Sequence, residues 1–301
     1  MGGAICGACT HVNNNLKENA MKVAVTGASG FIGRNVLNAL LEHHVGIVAL
    51  TRNASRLSGL SKKISIVEMD ISHSSPDCFH QLGKPDVLIH LAWDGLPNYK
   101  SLHHFETELP RQYQFLKAMV EVGLPSLLVT GTCFEYGMQS GPLSEDLIPM
   151  PQNSYGYAKN ALRRQLEFLK TIKSFNLTWA RLFYIYGEGQ PKNSLYSQIK
   201  DAVLRKEQVF NMSGGEQLRD YLSVEEVARH LVQLAIRIKD ISGTINICSG
   251  QPISVRGLVE QWLKKNNWNI ELNLGYYPYL DYEPMAFWGT ANKFKTFFKE
   301  D

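Results

Sequence analysis

K-V-A-V-T-G-A-S-G-F-I-G, residues 22–33, decides how this chain folds. An apolar strand runs into three glycines, Gly27, Gly30 and Gly33, and then into an amphipathic helix. A strand that turns sharply and lets its backbone approach a pyrophosphate needs glycine at such points. The helix that follows offers unpaired N–H groups and the positive end of its dipole to the same anion. Glycine spacing alone is a weak signal; the strand before it and the helix after it give it weight. Gly27, Ser29, Gly30, Phe31, Ile32 and Gly33 are therefore candidate cofactor-binding residues.

Outward from that stretch, strand candidates at 22–26, 46–50, 64–69, 86–91, 126–130 and 177–182 alternate with helices that include 32–43, 106–122 and 155–174. Short apolar strands separated by helices predict a parallel sheet covered on both faces. The expected fold is α/β, a Rossmann-type doubly wound parallel sheet. After about Gly187 the alternation fades into Gly214-Gly215, a helix near 224–238, a strand near 243–248 and an aromatic-rich tail. That pattern predicts a smaller C-terminal substrate-binding lobe. Residues 21–186 read as the dinucleotide-binding domain with its catalytic helix, and 187–301 mainly as the lobe, with 220–250 returning to the first domain. Residues 1–20 are polar and aperiodic and read as a disordered or non-native extension. They lack the apolar core of a signal peptide.

Composition narrows the classes. The 31 Lys and Arg against 28 Asp and Glu leave a net charge of +3 with no basic run, which argues against nucleic acid and membrane surfaces as partners. No apolar run is long enough to span a bilayer. The five cysteines, Cys6, Cys9, Cys78, Cys133 and Cys248, read as reduced thiols of a cytoplasmic protein. Cys6 and Cys9 form a C-x-x-C near His11, but a zinc site wants a fourth ligand, so no metal is assigned.

Two positions bear on which dinucleotide binds. An NAD site usually places an acid at the end of the second strand, on the ribose 2′-hydroxyl. Here the strand ends Leu50-Thr51-Arg52-Asn53. Arg52 suits a 2′-phosphate in charge and geometry, and Arg34 offers a second cation. NADP(H) is the favoured cofactor and NAD(H) stays open, the plainer reading being two solvated surface arginines.

Tyr155 and Lys159 lie four apart on a predicted helix and so share one face. Thr132 falls just beyond a predicted strand, at the carboxyl edge where such sheets bind ligands. A phenol of ordinary pKa about 10 exchanges protons poorly at neutrality, and lowering it there takes about 4 kcal/mol. An ammonium at Lys159 supplies part of that and can also bond the nicotinamide ribose. The tyrosine then exchanges a proton at a substrate oxygen while hydride moves at the neighbouring carbon. Tyr157 lies on another face and reads as packing.

At these residues the chain resembles the extended short-chain dehydrogenase/reductases that act on nucleotide sugars, the NAD-dependent epimerase/dehydratase family. The matching pieces run in order: the glycine stretch, Asp70-Ile71, His90-Leu91-Ala92, Thr132 followed by Tyr136-Gly137, and Tyr155-x-x-x-Lys159. Then come Arg181 leading to Tyr186-Gly187-Glu188-Gly189-Gln190, Arg219-Asp220-Tyr221 and Asn246-Ile247-Cys248-Ser249-Gly250. The resemblance implies that Asp70 and Ile71 flank the adenine and that Leu91 and Ala92 line the cofactor channel. It makes Thr132, Tyr155 and Lys159 catalytic, with Thr132 orienting the substrate oxygen. It sets Arg219 on the sugar-nucleotide diphosphate, and it implies a homodimer through two long helices, one of them 155–174.

Within that family the 4,6-dehydratases follow the Thr132 position with Asp and Glu, where this chain has Cys133 and Phe134. Members that epimerise C3 and C5 place cysteine at Phe134 and histidine after Tyr186-Gly187, and this chain has neither. Two common asparagines are replaced, by Tyr184 and Glu108. What remains is reversible hydride transfer at one carbon. The stretch from His90-Leu91-Ala92-Trp93 to Tyr99 is similar to reductases of 4-keto-6-deoxy sugars of surface polysaccharide pathways, most often dTDP-linked. Trp93 is thus a further substrate-binding candidate, while Trp93, Tyr184, Trp288 and the 276–282 aromatics set pocket shape. A C4 epimerase with tightly bound NAD is the alternative, and a non-catalytic NADP-sensing protein the third reading.

Overall fold

A computed structural model describes residues 20–73, 77–279, 281 and 283–298. Cys6, Cys9, His11 and Tyr282 lie outside the described residues. In chain order the strands are β1 (Lys22–Thr26), β2 (Gly46–Thr51), β3 (Ser65–Glu68), β4 (Val87–His90), β5 (Ser126–Thr132), β6 (Gly141–Leu143) and β7 (Asn176–Leu182). Then follow β8 (Tyr184–Tyr186), β9 (Val209–Asn211), β10 (Leu218–Ser223), β11 (Gly243–Ile247), β12 (Pro252–Ser254), β13 (Glu271–Asn273) and β14 (Phe287–Gly289). The helices are α1 (Phe31–Leu40), α2 (Cys78–Gln81), α3 (Leu109–Glu121), α4 (Ser154–Ile172), α5 (Leu195–Leu204), α6 (Val224–Ile236), α7 (Val255–Asn266) and α8 (Asn292–Phe297).

Seven strands form one sheet in the order β11-β7-β5-β4-β1-β2-β3. Every neighbouring pair in it is parallel. Successive residues of a strand face opposite sides, so each strand serves two cores. Val23 and Val25 of β1 join Ile47, Ala49 and Ile89 beneath α1 and α6. Ala24, between them, joins Val48, Leu50 and Leu88 beneath α3 and α4. The helices carry the matching stripes: Val36, Leu37 and Leu40 on α1, Leu162, Leu166 and Leu169 on α4. A third apolar cluster, with Ile199, Phe210, Val259 and Trp262, unites α5, β9 and α7 outside the sheet.

Local signals set the helix starts. Asn153 caps α4, accepting from the Gly156 N–H at 2.8 Å. Ser223 and Glu226 cap each other reciprocally at the start of α6. The strand order reverses between β1 and β4, and a doubly wound sheet opens a crevice at that point. The three described cysteines, Cys78, Cys133 and Cys248, are buried and form no disulfide. Among the described residues no helix is long and apolar enough to cross a membrane.

Candidate active site

The crevice holds a cavity of about 470 Å³ lined by the glycine loop, the ends of β2 and β4, and the first residues of α3. Gly27 turns the chain out of β1 with φ +64°, and a Cβ there would stand 2.9 Å from the Ala92 nitrogen. A Cβ on Gly33 would come within 2.8 Å of the Ala28 Cα, so the helix sits closer to the loop than any side chain permits. Gly30 is the N-cap of α1, with no capping side chain and no acid in the first turn. The first-turn N–H groups of Phe31, Ile32 and Gly33 are thus left to an anion, and all three residues line the cavity. This donor set fits the pyrophosphate of a dinucleotide.

At one end of the cavity the buried Thr51 hydroxyl donates to Ser29 Oγ at 2.9 Å, tying β2 to the glycine loop. Arg52, Asn53 and Arg56 line the cavity there, with Asp70 and Ile71. Arg34 does not. Its Nε donates to the Ser29 carbonyl at 3.2 Å and its Nη2 to the Arg56 carbonyl at 3.1 Å, so it braces the loop from outside. Arg56, which no motif marks in the sequence, lines the cavity beside Arg52.

Toward the other end stand Leu91, Ala92 and Trp93. Thr132 is the last residue of β5, paired with Leu182, and not one beyond the strand; the parallel ladder with β7 carries the strand two residues further than its apolar pattern. Its N–H donates at 2.9 Å to Glu135, and its Oγ accepts from Phe134 at 3.3 Å. Glu135 is fully buried and also accepts from Trp179 Nε1 at 2.9 Å and Arg181 Nε at 2.8 Å. A buried ion pair therefore holds Thr132 in place.

Tyr155 and Lys159 reach the end of β5 from α4. Gly156 makes this approach possible, since a Cβ there would lie 2.6 Å from the Phe134 carbonyl oxygen. Tyr155 is buried near Thr132, with Trp93, Tyr99 and His104 around it at ring distances of 5.9, 5.7 and 5.3 Å. Lys159 Nζ donates to the Thr130 carbonyl at 2.9 Å and lies 4.1 Å over the Trp93 ring. Burial pushes the Tyr155 phenol well above its ordinary value, with Tyr99 and Glu135 adding to the rise and Thr132 opposing it. Burial likewise brings Lys159 down to about 7, against the pull of Glu135 and Glu108. The sequence reading expects an ammonium that lowers the phenol. The fold instead disfavours both charged forms, because each group is withdrawn from water with no counter-ion in contact among the described residues.

Arg219 stands apart from this cavity. It is 4 % exposed, donates to Glu283 at 2.9 Å and to the Leu218 carbonyl at 2.9 Å, and lies 4.5 Å over the Phe287 ring. Its charge acts on Cys133 and Tyr184, which also feel Glu283. Tyr157, read as packing, is 55 % exposed with only its edge against Phe105, because its face of α4 points away from the sheet. Sequence reasoning missed His104, whose Nδ1 accepts from Trp93 Nε1 at 3.1 Å and whose Nε2 meets the Asn98 carbonyl at 2.9 Å. It also missed that Asp94, His103 and Glu108 gather ligand-type atoms within 4.8 Å of one another. The Glu108 oxygens already accept from the Asp94 N–H, Arg111 and Gln112, so this trio reads as a hydrogen-bonded corner of the cavity.

A parallel doubly wound sheet, a glycine loop fitted to a pyrophosphate, and Thr132, Tyr155 and Lys159 beside it define a dinucleotide-binding protein of the Rossmann class. Residues 23–248 match the NAD dependent epimerase/dehydratase family. The chain is 31 % identical over 271 residues to the dTDP-6-deoxy-L-talose 4-dehydrogenase (NAD(+)) of Aggregatibacter actinomycetemcomitans, covering 89 % of this chain and 99 % of that protein. It is 27 % identical over 241 residues to the GDP-6-deoxy-D-talose 4-dehydrogenase of the same organism, covering 78 % of this chain and 76 % of that protein. A solved structure of MoeE5 in complex with UDP-glucose and NAD superposes with a TM-score of 0.77 at 25 % identity, with 91 % of each chain covered. The chain belongs to the NAD dependent epimerase/dehydratase family. It is an oxidoreductase that works with a nicotinamide dinucleotide.

Proposed function

We propose that this enzyme reduces the C4 keto group of a nucleotide-linked, dTDP-bearing 4-keto-6-deoxyhexose, using NADPH, to give a 6-deoxyhexose for surface polysaccharide. The observation that carries the reading is the trio of Thr132, Tyr155 and Lys159 beside the dinucleotide cavity, with the buried Cys133 and the ring of Phe134 where water elimination would need acids. Its relative named for 4-dehydrogenation of dTDP-6-deoxy-L-talose works the same ketone–alcohol couple from the alcohol side. Gly27, Ser29, Gly30, Phe31, Ile32, Gly33, Asp70, Ile71, Leu91 and Ala92 would hold the dinucleotide, which supplies the hydride when bound. Thr132 holds the C4 oxygen, and Tyr155, protonated at neutral pH because burial raises its pKa, donates the proton to it. Lys159 fixes the ribose and stands ready to restore that proton. Arg52 and Arg56, with no acid at the end of β2, favour a 2′-phosphate. Trp93 and Arg219 are the further substrate contacts, Arg219 exchanging Glu283 for the diphosphate. The exposed stripe Tyr157, Phe168 and Ile172 on α4 favours pairing with a second copy, and the thiols outside any disulfide favour the cytoplasm.

The test is NADPH oxidation with dTDP-4-keto-6-deoxyglucose, with NADH beside it and the product sugar identified by NMR. Tyr155→Phe should lower turnover by at least about a hundredfold while leaving NADPH binding intact. Retained turnover would remove Tyr155 from its role. Protein that comes out of purification with a tightly held oxidised dinucleotide, and converts one sugar epimer to the other without added cofactor, would make it a C4 epimerase instead.

A further inference from the structure

Beneath the cavity runs a chain of buried polar side chains that hydride transfer does not use. Gln112 donates through Nε2 to Glu108 Oε2 at 2.8 Å, and its Oε1 lies 2.7 Å from His90 Nε2. His90 Nδ1 lies 2.9 Å from the Thr26 hydroxyl. Thr26 Oγ1 in turn accepts from the N–H groups of Leu91 at 3.1 Å and Ala92 at 3.3 Å. The far end closes on the same segment, for Glu108 Oε2 accepts from the Asp94 N–H at 3.1 Å. Thr26, His90, Glu108 and Gln112 are each at most 2 % exposed.

A carboxylate only accepts, so Glu108 obliges Gln112 to present its amino group there and its carbonyl to His90. His90 must then carry its proton on Nε2, and its bare Nδ1 accepts a hydrogen bond from the Thr26 hydroxyl. That turns the Thr26 lone pairs toward the two backbone N–H groups. Burial keeps the imidazole neutral, with its pKa brought down to about 3. Every bond in the chain thus follows from one charge at one end.

We propose that Glu108 is a positioning residue for the dinucleotide: it sets the direction of the Glu108–Gln112–His90–Thr26 chain and thereby fixes residues 91–94 against the glycine loop. The inference rests on the reading of the cavity as the dinucleotide site. It bears on function because Leu91 and Ala92 form the wall that Gly27 touches, and Trp93 covers Lys159. Glutamine at 108 offers either an acceptor or a donor to Gln112, so the chain loses its single direction.

The experiment is ¹⁵N NMR of histidine-labelled protein, with His90 assigned from His90→Gln, alongside NADPH and NADH titrations. Wild-type His90 should show one tautomer, protonated on Nε2. Glu108→Gln should show Nδ1-protonated His90 as well and bind dinucleotide about tenfold more weakly, the worth of one net hydrogen bond. Thr26→Val, which removes the acceptor and leaves Glu108 in place, should weaken binding by the same factor, and Thr26→Ser should restore it. These two decide the matter if Glu108→Gln does not fold. An unchanged His90 tautomer in folded Glu108→Gln, or dinucleotide binding within twofold of wild type in Thr26→Val, would overturn the proposal. Wild-type protein that binds no nicotinamide dinucleotide overturns the reading of the cavity, and the tautomer then still reports on the chain itself.

Discussion

Replacing Lys159 with methionine should make the protein more stable, and more so in acid than in base. Lys159 is 2 % exposed, and among the described residues the Thr130 carbonyl at 2.9 Å and the rings of Trp93 at 4.1 Å and Tyr155 at 5.9 Å stand in for the water its ammonium loses. Burial takes its pKa from the ordinary 10.5 to about 7. Between those values the unfolded chain binds a proton that the folded chain does not, so this residue makes stability rise with pH across that window. Below the folded value both states are protonated and the full penalty is present, about 5 kcal/mol at ~1.4 kcal/mol per pH unit. At pH 9 about 2 kcal/mol of it remains. Methionine removes the penalty at every pH and forfeits the bond to Thr130, about 1 kcal/mol regardless of pH. The variant should therefore gain on the order of 4 kcal/mol at pH 6 and on the order of 1 kcal/mol at pH 9. Urea unfolding of both proteins at the two pH values measures this directly. A gain of equal size at both would refute the reasoning, since it would come from packing and not from a removed charge. Turnover should disappear as stability rises, the exchange expected where function keeps a strained group buried.

Three further outcomes test other parts of the structure. Gly33→Ala should abolish dinucleotide binding, because its Cβ has no room beside Ala28; retained binding by fluorescence titration would show that the loop can shift. Arg52→Ala should raise the KM for NADPH by about tenfold or more and leave that for NADH unchanged, and an equal effect on both would return Arg52 to the solvated surface. Glu135→Gln leaves Arg181, 1 % exposed, without its counter-charge and should cost about 3–5 kcal/mol in thermal unfolding. A loss under about 1 kcal/mol would mean that the pair contributes little beyond its shape.

Much of the sheet was legible because its strands are continuous apolar runs, the mark of strands buried on both faces. Ends were read less well. The helix expected from residue 106 begins at Leu109 after a π-helical turn over His104–Glu108, and that turn is what brings the buried His104 and Glu108 to the site. The strands β8, β10 and β12 form a second sheet that no periodicity announces, since β8 and β12 are three residues each and too short to carry a pattern. Glycines and the Tyr155–Lys159 spacing are local signals and could be read one residue at a time. The pairing of Arg219 with Glu283 joins positions 64 apart, and the burial that reverses the expected balance between Tyr155 and Lys159 belongs to the fold as a whole. Arg34 shows the limit of reading charge by proximity to a motif. It follows the glycine loop directly, yet its guanidinium is spent on two backbone carbonyls.

The outermost strand on one side of the sheet comes late in the chain. β11 pairs with β7 from Gly243 to Ile247, although β7 ends at Leu182. During synthesis β7 therefore emerges with a raw, hydrogen-bonding flank and waits while the residues of α5, β10 and α6 are added. An open strand flank on a nascent chain is where neighbouring copies join. Expression speed and chaperone supply should thus govern the yield of this protein more than its final stability does, and a chain cut before residue 243 should precipitate although its glycine loop and Tyr155 are present.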